Sequence, residues 1–166
     1  MAASDMFLKI EGARTGPIKG EAQDMLHEGE IDIHSWSWGM SQSSSTHTGG
    51  GGGSGKVHVQ DISFTKYIDA SSHALIQACC NGEHFDKALL TVRKAGKTPL
   101  EYIKISMEEV IISSVNTGGS GGEDRLTENV TLNFAKFKYE YTTQDKTGGQ
   151  GNTMTANWDI AKNQDK

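Results

Sequence analysis

Met6, Leu8 and Ile10 alternate with Phe7, Lys9 and Glu11, the two-residue period of a strand with one face turned to a core. The same period returns at residues 30–40, 57–68, 88–93, 100–115 and 126–141, and in a short closing run at 156–160. Glycine-rich turns are expected between them, at 12–20 with Pro17, at 94–97, at 118–122 and at 148–151. One segment departs from alternation. Residues 71–82 open on Ser71 and Ser72, where an N-cap belongs, and close on Asn81-Gly82, where a helix stops. Leu75, Ala78 and Cys79 share a face, so the pattern predicts one short helix over about 71–81. Many strands joined by glycine turns predict a barrel or a sandwich.

Within the long strands the alternation slips phase. Ile31 and Ile33 point one way and Trp36 and Trp38 the other; Val57 and Val59 give way to Ile62, Phe64 and Ile68. Val130, Leu132 and Phe134 likewise give way to Phe137, Tyr139 and Tyr141. A slip exchanges faces unless a bulge absorbs it. Two readings remain open: bulged strands around one core, or strands apolar on both faces with a neighbouring subunit covering the second.

Composition narrows the function classes. A net charge of −5, with both signs interspersed, gives no clustered basic face for nucleic acid. No run reaches the roughly 18 apolar residues of a membrane span, and the first residues lack the basic and apolar regions of a cleaved leader. A start in the cytoplasm is therefore expected, and any export would follow another route. Cys79 and Cys80 are adjacent, and consecutive Cα atoms lie about 3.8 Å apart, too close for an ordinary disulfide. Two unlinked thiols are expected.

Catalytic motifs fail one by one. Residues 50–56, GGGGSGK, fill the first seven places of a phosphate-binding loop, but Val57 stands where the Mg²⁺-binding hydroxyl belongs. A strand-like run follows, whereas a phosphate loop opens a helix. His27, His34, His47, His58, His73 and His84 are scattered without metal-ligand spacing. Glu108-Glu109 and Glu123-Asp124 are neighbours in sequence, and neighbours in a strand face opposite ways. No enzyme, cofactor or metal is expected.

The stretch from Ser41 to Gly55 is harder to place. Its fifteen residues, including His47, Gly49, Gly50, Gly51, Gly52, Gly53 and Ser54, contain no large apolar side chain. A structureless loop of this length inside a compact domain is uncommon unless it is functional. Ordering it costs about 1–2 kcal/mol per residue, which docking on another subunit must offset.

Three blocks carry a resemblance. EIDIHSWSWGMS at 30–41, GKVHVQDISFTKYID at 55–69 and SVNTGGSGGEDRLTENV at 114–130 are similar to the haemolysin-coregulated protein (Hcp) family of type VI secretion, in order and over about residues 6–141. The resemblance implies a mainly β fold: a compact β-barrel of two packed antiparallel sheets with one short helix. It spans a single domain, 1–166, with the extended loop 41–55 and a polar tail 161–166. It further implies hexameric rings that stack into the inner tube of a contractile injection machine. The implied partners are further copies of the chain, a VgrG spike, a contractile sheath and small effectors carried in the lumen. A ring needs a heterologous interface, which the phase-slipped strands could supply.

On that basis the loop from Ser41 to Gly55 is expected to contact the adjacent ring. Ser35 and Ser37, facing away from Trp36 and Trp38, form a small polar strip that either lines the lumen and touches cargo or is an ordinary solvent-exposed strip on the outside. The alternative function is a stand-alone secreted β-domain that binds carbohydrate or a host surface through its three tryptophans.

Overall fold

The computed structural model describes residues 4–43, 55–96 and 99–165. Among these, ten strands and one helix follow in chain order: β1 (Ser4–Glu11), β2 (Ile31–Asp32), β3 (Ser35–Ser37), β4 (Met40–Gln42), β5 (Val57–Val59), β6 (Ile62–Tyr67), α1 (Ser72–Asn81), β7 (His84–Lys94), β8 (Leu100–Thr117), β9 (Thr127–Gln144) and β10 (Gln150–Asp159). The main sheet runs β2-β1-β7-β8-β9-β6-β3, and β10 joins β9 beyond the part that β6 occupies. The strands β4 and β5 form a separate two-stranded ribbon.

The two ends of the sheet meet on one short piece of chain. Ile33 donates its N–H to the Met6 carbonyl of β1 at 2.9 Å, and the next residue, His34, donates to the Thr65 carbonyl of β6 at 2.8 Å. The chain thus passes from one wall to the other and draws the sheet into a curl. The two layers expected from sequence are opposite walls of this one curled sheet. Between them lie Leu8, Ile10, Ile31, Ile62, Phe64, Leu90, Ile105 and Leu132, all buried. Burying each such side chain is worth about 1.5–3 kcal/mol.

Helix α1 lies against β8 and sends Leu75 and Ala78 into this core. Gly82 ends it in the left-handed conformation at φ +68°, as Asn-Gly predicts. Its start differs from expectation. Ser71 is already helical in its backbone and makes no side-chain cap. Asp69 takes up the Ser71 N–H at 2.8 Å, while the Ser72 hydroxyl turns inward to Glu128 at 2.6 Å. A buried carboxylate competes more strongly for that hydroxyl than an exposed helix end does.

The phase slips resolve into one core. Phe85 pairs with Val110 and Val110 with Phe134; Ala88 pairs with Met107 and Met107 with Phe137. On each strand these inward residues are three apart instead of two, so β7, β8 and β9 all skip at one level. The skipped positions include Asp86, Glu109 and Ala135, and Glu109 adopts φ +55°. Gly12, at the end of β1, extends the line at φ +90°, where an added Cβ would stand 2.4 Å from the Asp86 Cβ. The sheet is creased along Gly12, Asp86, Glu109 and Ala135, and the crease restores the same face to the core on both sides. In the segment 30–40, transfer from β1 to β6 does the same work: Ile31 and Ile33 are buried, and Trp36 and Trp38 pack against the core. The slip at Gln60-Asp61 marks where the ribbon ends and β6 begins.

Candidate assembly surfaces

The outward face differs on the two sides of the crease. On one side β3, β6, β9 and β8 present rows of hydroxyls and amides. Ser35 stands beside Thr65, Thr65 beside Asn129 and Asn129 beside Asn116; Ser37, Ser63, Thr131 and Ser114 form the next row. Ser35 and Ser37 are exposed, while Trp36 between them turns inward opposite buried Phe64. Thr65 Oγ1 donates to Asn129 Oδ1 at 2.8 Å, and the hydroxyls of Ser113 and Ser114 each lie 2.6 Å from that of Thr131. Asp61 at the rim accepts from Ser113 Oγ at 2.7 Å and from Asn133 Nδ2 at 2.8 Å. The sequence singled out Ser35 and Ser37; the other six members of the two rows depend on strand register, which the sequence left open.

Across the crease the outward face is charged. Glu11, Lys87, Glu108, Lys136 and Asp159 stand in register over β1, β7, β8, β9 and β10, so the signs alternate from strand to strand. Lys136 Nζ lies 4.0 Å from Glu108 and 3.8 Å from Asp159. The exposed Lys136–Glu108 pair contributes at most about 1 kcal/mol, whereas Asp159, at the β10 end of the ladder, is buried. The ladder lines a depression of about 480 Å³.

The ribbon stands at the base of the glycine-rich stretch. Ser41 pairs with His58, Met40 with Val59 and Gln42 with Val57, and Ser43 Oγ donates to the Lys56 carbonyl at 3.3 Å. Ser41 is exposed and Gly55 half-buried. The expected contact residues His47, Gly49, Gly50, Gly51, Gly52, Gly53 and Ser54 lie outside the described residues. The run after the glycines is strand β5, the context in which a phosphate loop fails.

A clip that sequence reading missed holds residues 20–30 against β1, β7 and β8. The His27 ring stacks on Phe7 with centroids 4.3 Å apart, and the Arg93 guanidinium lies 5.2 Å from the Phe7 centroid. Arg93 bonds Asp24 at 2.6 and 3.0 Å and Asp5 at 3.0 Å. His27 places one ring nitrogen 2.8 Å from Glu30 and the other 2.6 Å from Glu101. The hydrogen bonds from Arg93, helped by the Leu26 N–H, hold the Asp24 carboxyl down to about 2. Burial pushes the Glu101 carboxyl up, but the bond and charge of His27, with Lys104, outweigh it and leave it lowered. The tip of this loop exposes Met25 and Leu26.

Cys79 and Cys80 are both free thiols. Among the described residues no group of three His, Cys, Asp or Glu is placed to hold a metal ion, and no helix is long and apolar enough to cross a membrane.

Comparison with known proteins agrees with this architecture. A family model described as "Type VI secretion system effector, Hcp" matches residues 7–141. Protein hcp1 of Pseudomonas aeruginosa is 57% identical over 163 residues, covering 97% of this chain and 98% of its own. The crystal structure of Hcp1 from Salmonella typhimurium superposes with a TM-score of 0.81 at 39% identity, over 99% of both chains. A structure titled as a type six secretion system protein gives a TM-score of 0.89 at 24% identity over 99% of this chain and 100% of its own, a likeness of fold. The curled antiparallel sheet, the single helix and the three quoted sequence blocks are those of a secreted tube-protein family: this chain belongs to the Hcp family of type VI secretion.

Proposed function

We propose that this chain is the repeating unit of the type VI inner tube. Six copies close a ring and rings stack through the loop 41–55. The tube is made in the cytoplasm and leaves when the contractile sheath drives it out behind a VgrG spike. Small effector proteins ride in its lumen. The observation that carries this reading is the hydroxyl–amide face: its two rows, from Ser35 to Asn116 and from Ser37 to Ser114, contain no charge. Such a wall offers many weak hydrogen-bonding positions and no fixed charge to hold a passing polypeptide tightly. On this reading Ser35 and Ser37 line the lumen.

Replacing Ser37 with Glu puts a bulky charge into that wall at an exposed position, so the ring is expected to survive while co-purifying effector falls. Unchanged effector recovery from intact rings would refute the assignment of this face. The stand-alone carbohydrate-binding reading has less support. Trp36, Trp38 and Trp158 are all half-buried, and Trp38 commits its indole N–H to the Gln60 carbonyl at 2.9 Å.

A further inference from the structure

The wall formed by β3 and β6 ends differently at its two extremes. At one end the ribbon β4–β5 continues past Ser37 and Ser63 and carries the glycine-rich stretch. At the other end the wall meets the 20–30 clip. Ile33 bonds the Met6 carbonyl there, and Asp32 and Ile33 share a depression with Asp5, Asp24 and Arg93. Just past β6, the Ala70 N–H donates to Glu21 at 2.8 Å. From Ser35 to Gln42 the chain spans roughly 20 Å at about 3.3 Å per residue. Clip and ribbon therefore stand at opposite ends of the wall.

Both ends show apolar side chains to water. Met25 is 95% exposed and Leu26 74%, the two highest values among the large apolar side chains described, and Met40 of the ribbon is 48% exposed. The first two are held out by a fixed support. Arg93 bonds both carboxylate oxygens of Asp24, the Leu26 N–H donates to Asp24 Oδ1 at 3.0 Å, and the His27 N–H donates to the Asp24 carbonyl at 3.1 Å. A pinned pair of apolar side chains does not fold back on its own domain, so a partner is what removes it from water.

The ends also differ in charge. Residues 21–32 carry five carboxylates, Glu21, Asp24, Glu28, Glu30 and Asp32, and no Lys or Arg. Residues 33–60 carry no carboxylate and supply Lys56. Glu28 and Lys56 are exposed, and neither makes an ion pair among the described residues.

We propose that the Met25–Leu26 tip of one copy docks on the ribbon of a copy in the next ring, against Met40, with the carboxylates around the tip facing Lys56. This rests on the tube-subunit reading and supplies the surface that meets the loop-bearing end. Side chains displayed at the two ends make the contact, and no strand edge takes part. Because the two surfaces lie at opposite ends of one chain, the contact is heterologous and repeats without closing, which lengthens a stack. Contact of tip with tip would instead pair two rings back to back, end their growth and set carboxylates against carboxylates.

The test uses full-length chain in which Cys79→Ser and Cys80→Ser remove the native thiols. Chains carrying M25C and M40C together, or M25C alone, are concentrated and treated with a short bis-maleimide. The double variant should give a ladder of cross-linked species that disappears when rings are diluted until they no longer stack, and M25C alone should give no dimer. Dimers of M25C chains, a ladder that persists in single rings, or tubes whose chains do not cross-link would each overturn the contact while leaving the tube reading intact. Wild-type chain that forms neither rings nor tubes would overturn both. Independently, Met25→Lys combined with Leu26→Lys should leave rings at wild-type mass and circular dichroism and abolish tubes in cells. Tubes in wild-type number from that variant would overturn the proposal.

Discussion

Lys66 and Glu128 occupy paired positions of β6 and β9, each 1% exposed, with their charged groups in contact inside the core. Asp69 lies 3.0 Å from the same ammonium, and Ser72 brings α1 into the cluster. Two carboxylates against one ammonium make each member dependent on the others. Lys66→Met should cost about 3–5 kcal/mol, because it strands a buried carboxylate. Adding Glu128→Gln should recover much of the loss, since the pair then leaves together. Urea unfolding of both variants measures this; a double variant no better than the single would show that the amine acts through packing alone.

Acid should loosen the clip around Arg93. The folded Asp24 carboxyl sits at about 2, below its ordinary 3.8. A lowered value means stability that is full above about pH 4 and is lost as pH falls through about 2. Glu101 is lowered and adds in the same direction. Asp32 has the opposite sign: burial and then the charge of Asp69 raise its carboxyl, so its protonation on the way down favours the fold. Asp24→Asn is expected to be less stable than wild type at pH 7 and to converge on it near pH 2. Urea midpoints across that range test it, and a gap that stays constant would exclude Asp24 as the titrating group.

Gly12 and Gly16 share φ +90° but differ in surroundings. Nothing lies within 4 Å of a Cβ added at Gly16, whereas at Gly12 it meets Asp86. Gly16→Ala should cost about 1–2 kcal/mol, the backbone penalty alone. Gly12→Ala should cost a further 1–3 kcal/mol or so, because the Asp86 Cβ is fixed to its strand and cannot rotate away. Equal melting temperatures for the two variants would show that the crease at Asp86 is yielding.

Replacing residues 44–54 with a two-residue turn should leave rings at wild-type mass and abolish tubes in cells. Since ordering this loop is costly, wild-type rings are expected to stack weakly unless templated or concentrated. Electron microscopy of both proteins reads the outcome; normal tubes from the shortened chain would remove the loop from stacking.

Alternation alone located β1, β8, β9 and part of β7, and Asn81-Gly82 fixed the helix end, because both signals are local. Of β10 the pattern marked only 156–160 and put a turn at 148–151, where the strand already begins at Gln150. The phase slips at 134–137 were equally visible, but their meaning was not. Only register shows that Phe85, Val110 and Phe134 turn together, which makes three separate slips into one crease. Ser35 and Ser37 could be found from their tryptophan neighbours, yet Thr65, Asn129 and Asn116 join them from strands far away in sequence. The clip was illegible for the same reason. Arg93 and Asp24 are 69 positions apart, and neither stands in a motif. Ser71 misled because an N-cap signal assumes an exposed helix start, and this start sits over a buried carboxylate.

The crease has a mechanical consequence. A flat plate buckles easily, and a plate folded along a line resists bending across that line. Gly12, Asp86, Glu109 and Ala135 put such a fold across four neighbouring strands, stiffening the wall without any thickening of it. On the tube-subunit reading proposed above, each subunit has to transmit thrust to the next without collapsing. Corrugation built into the backbone supplies that rigidity and leaves the side chains on either slope to be chosen for cargo or for neighbours.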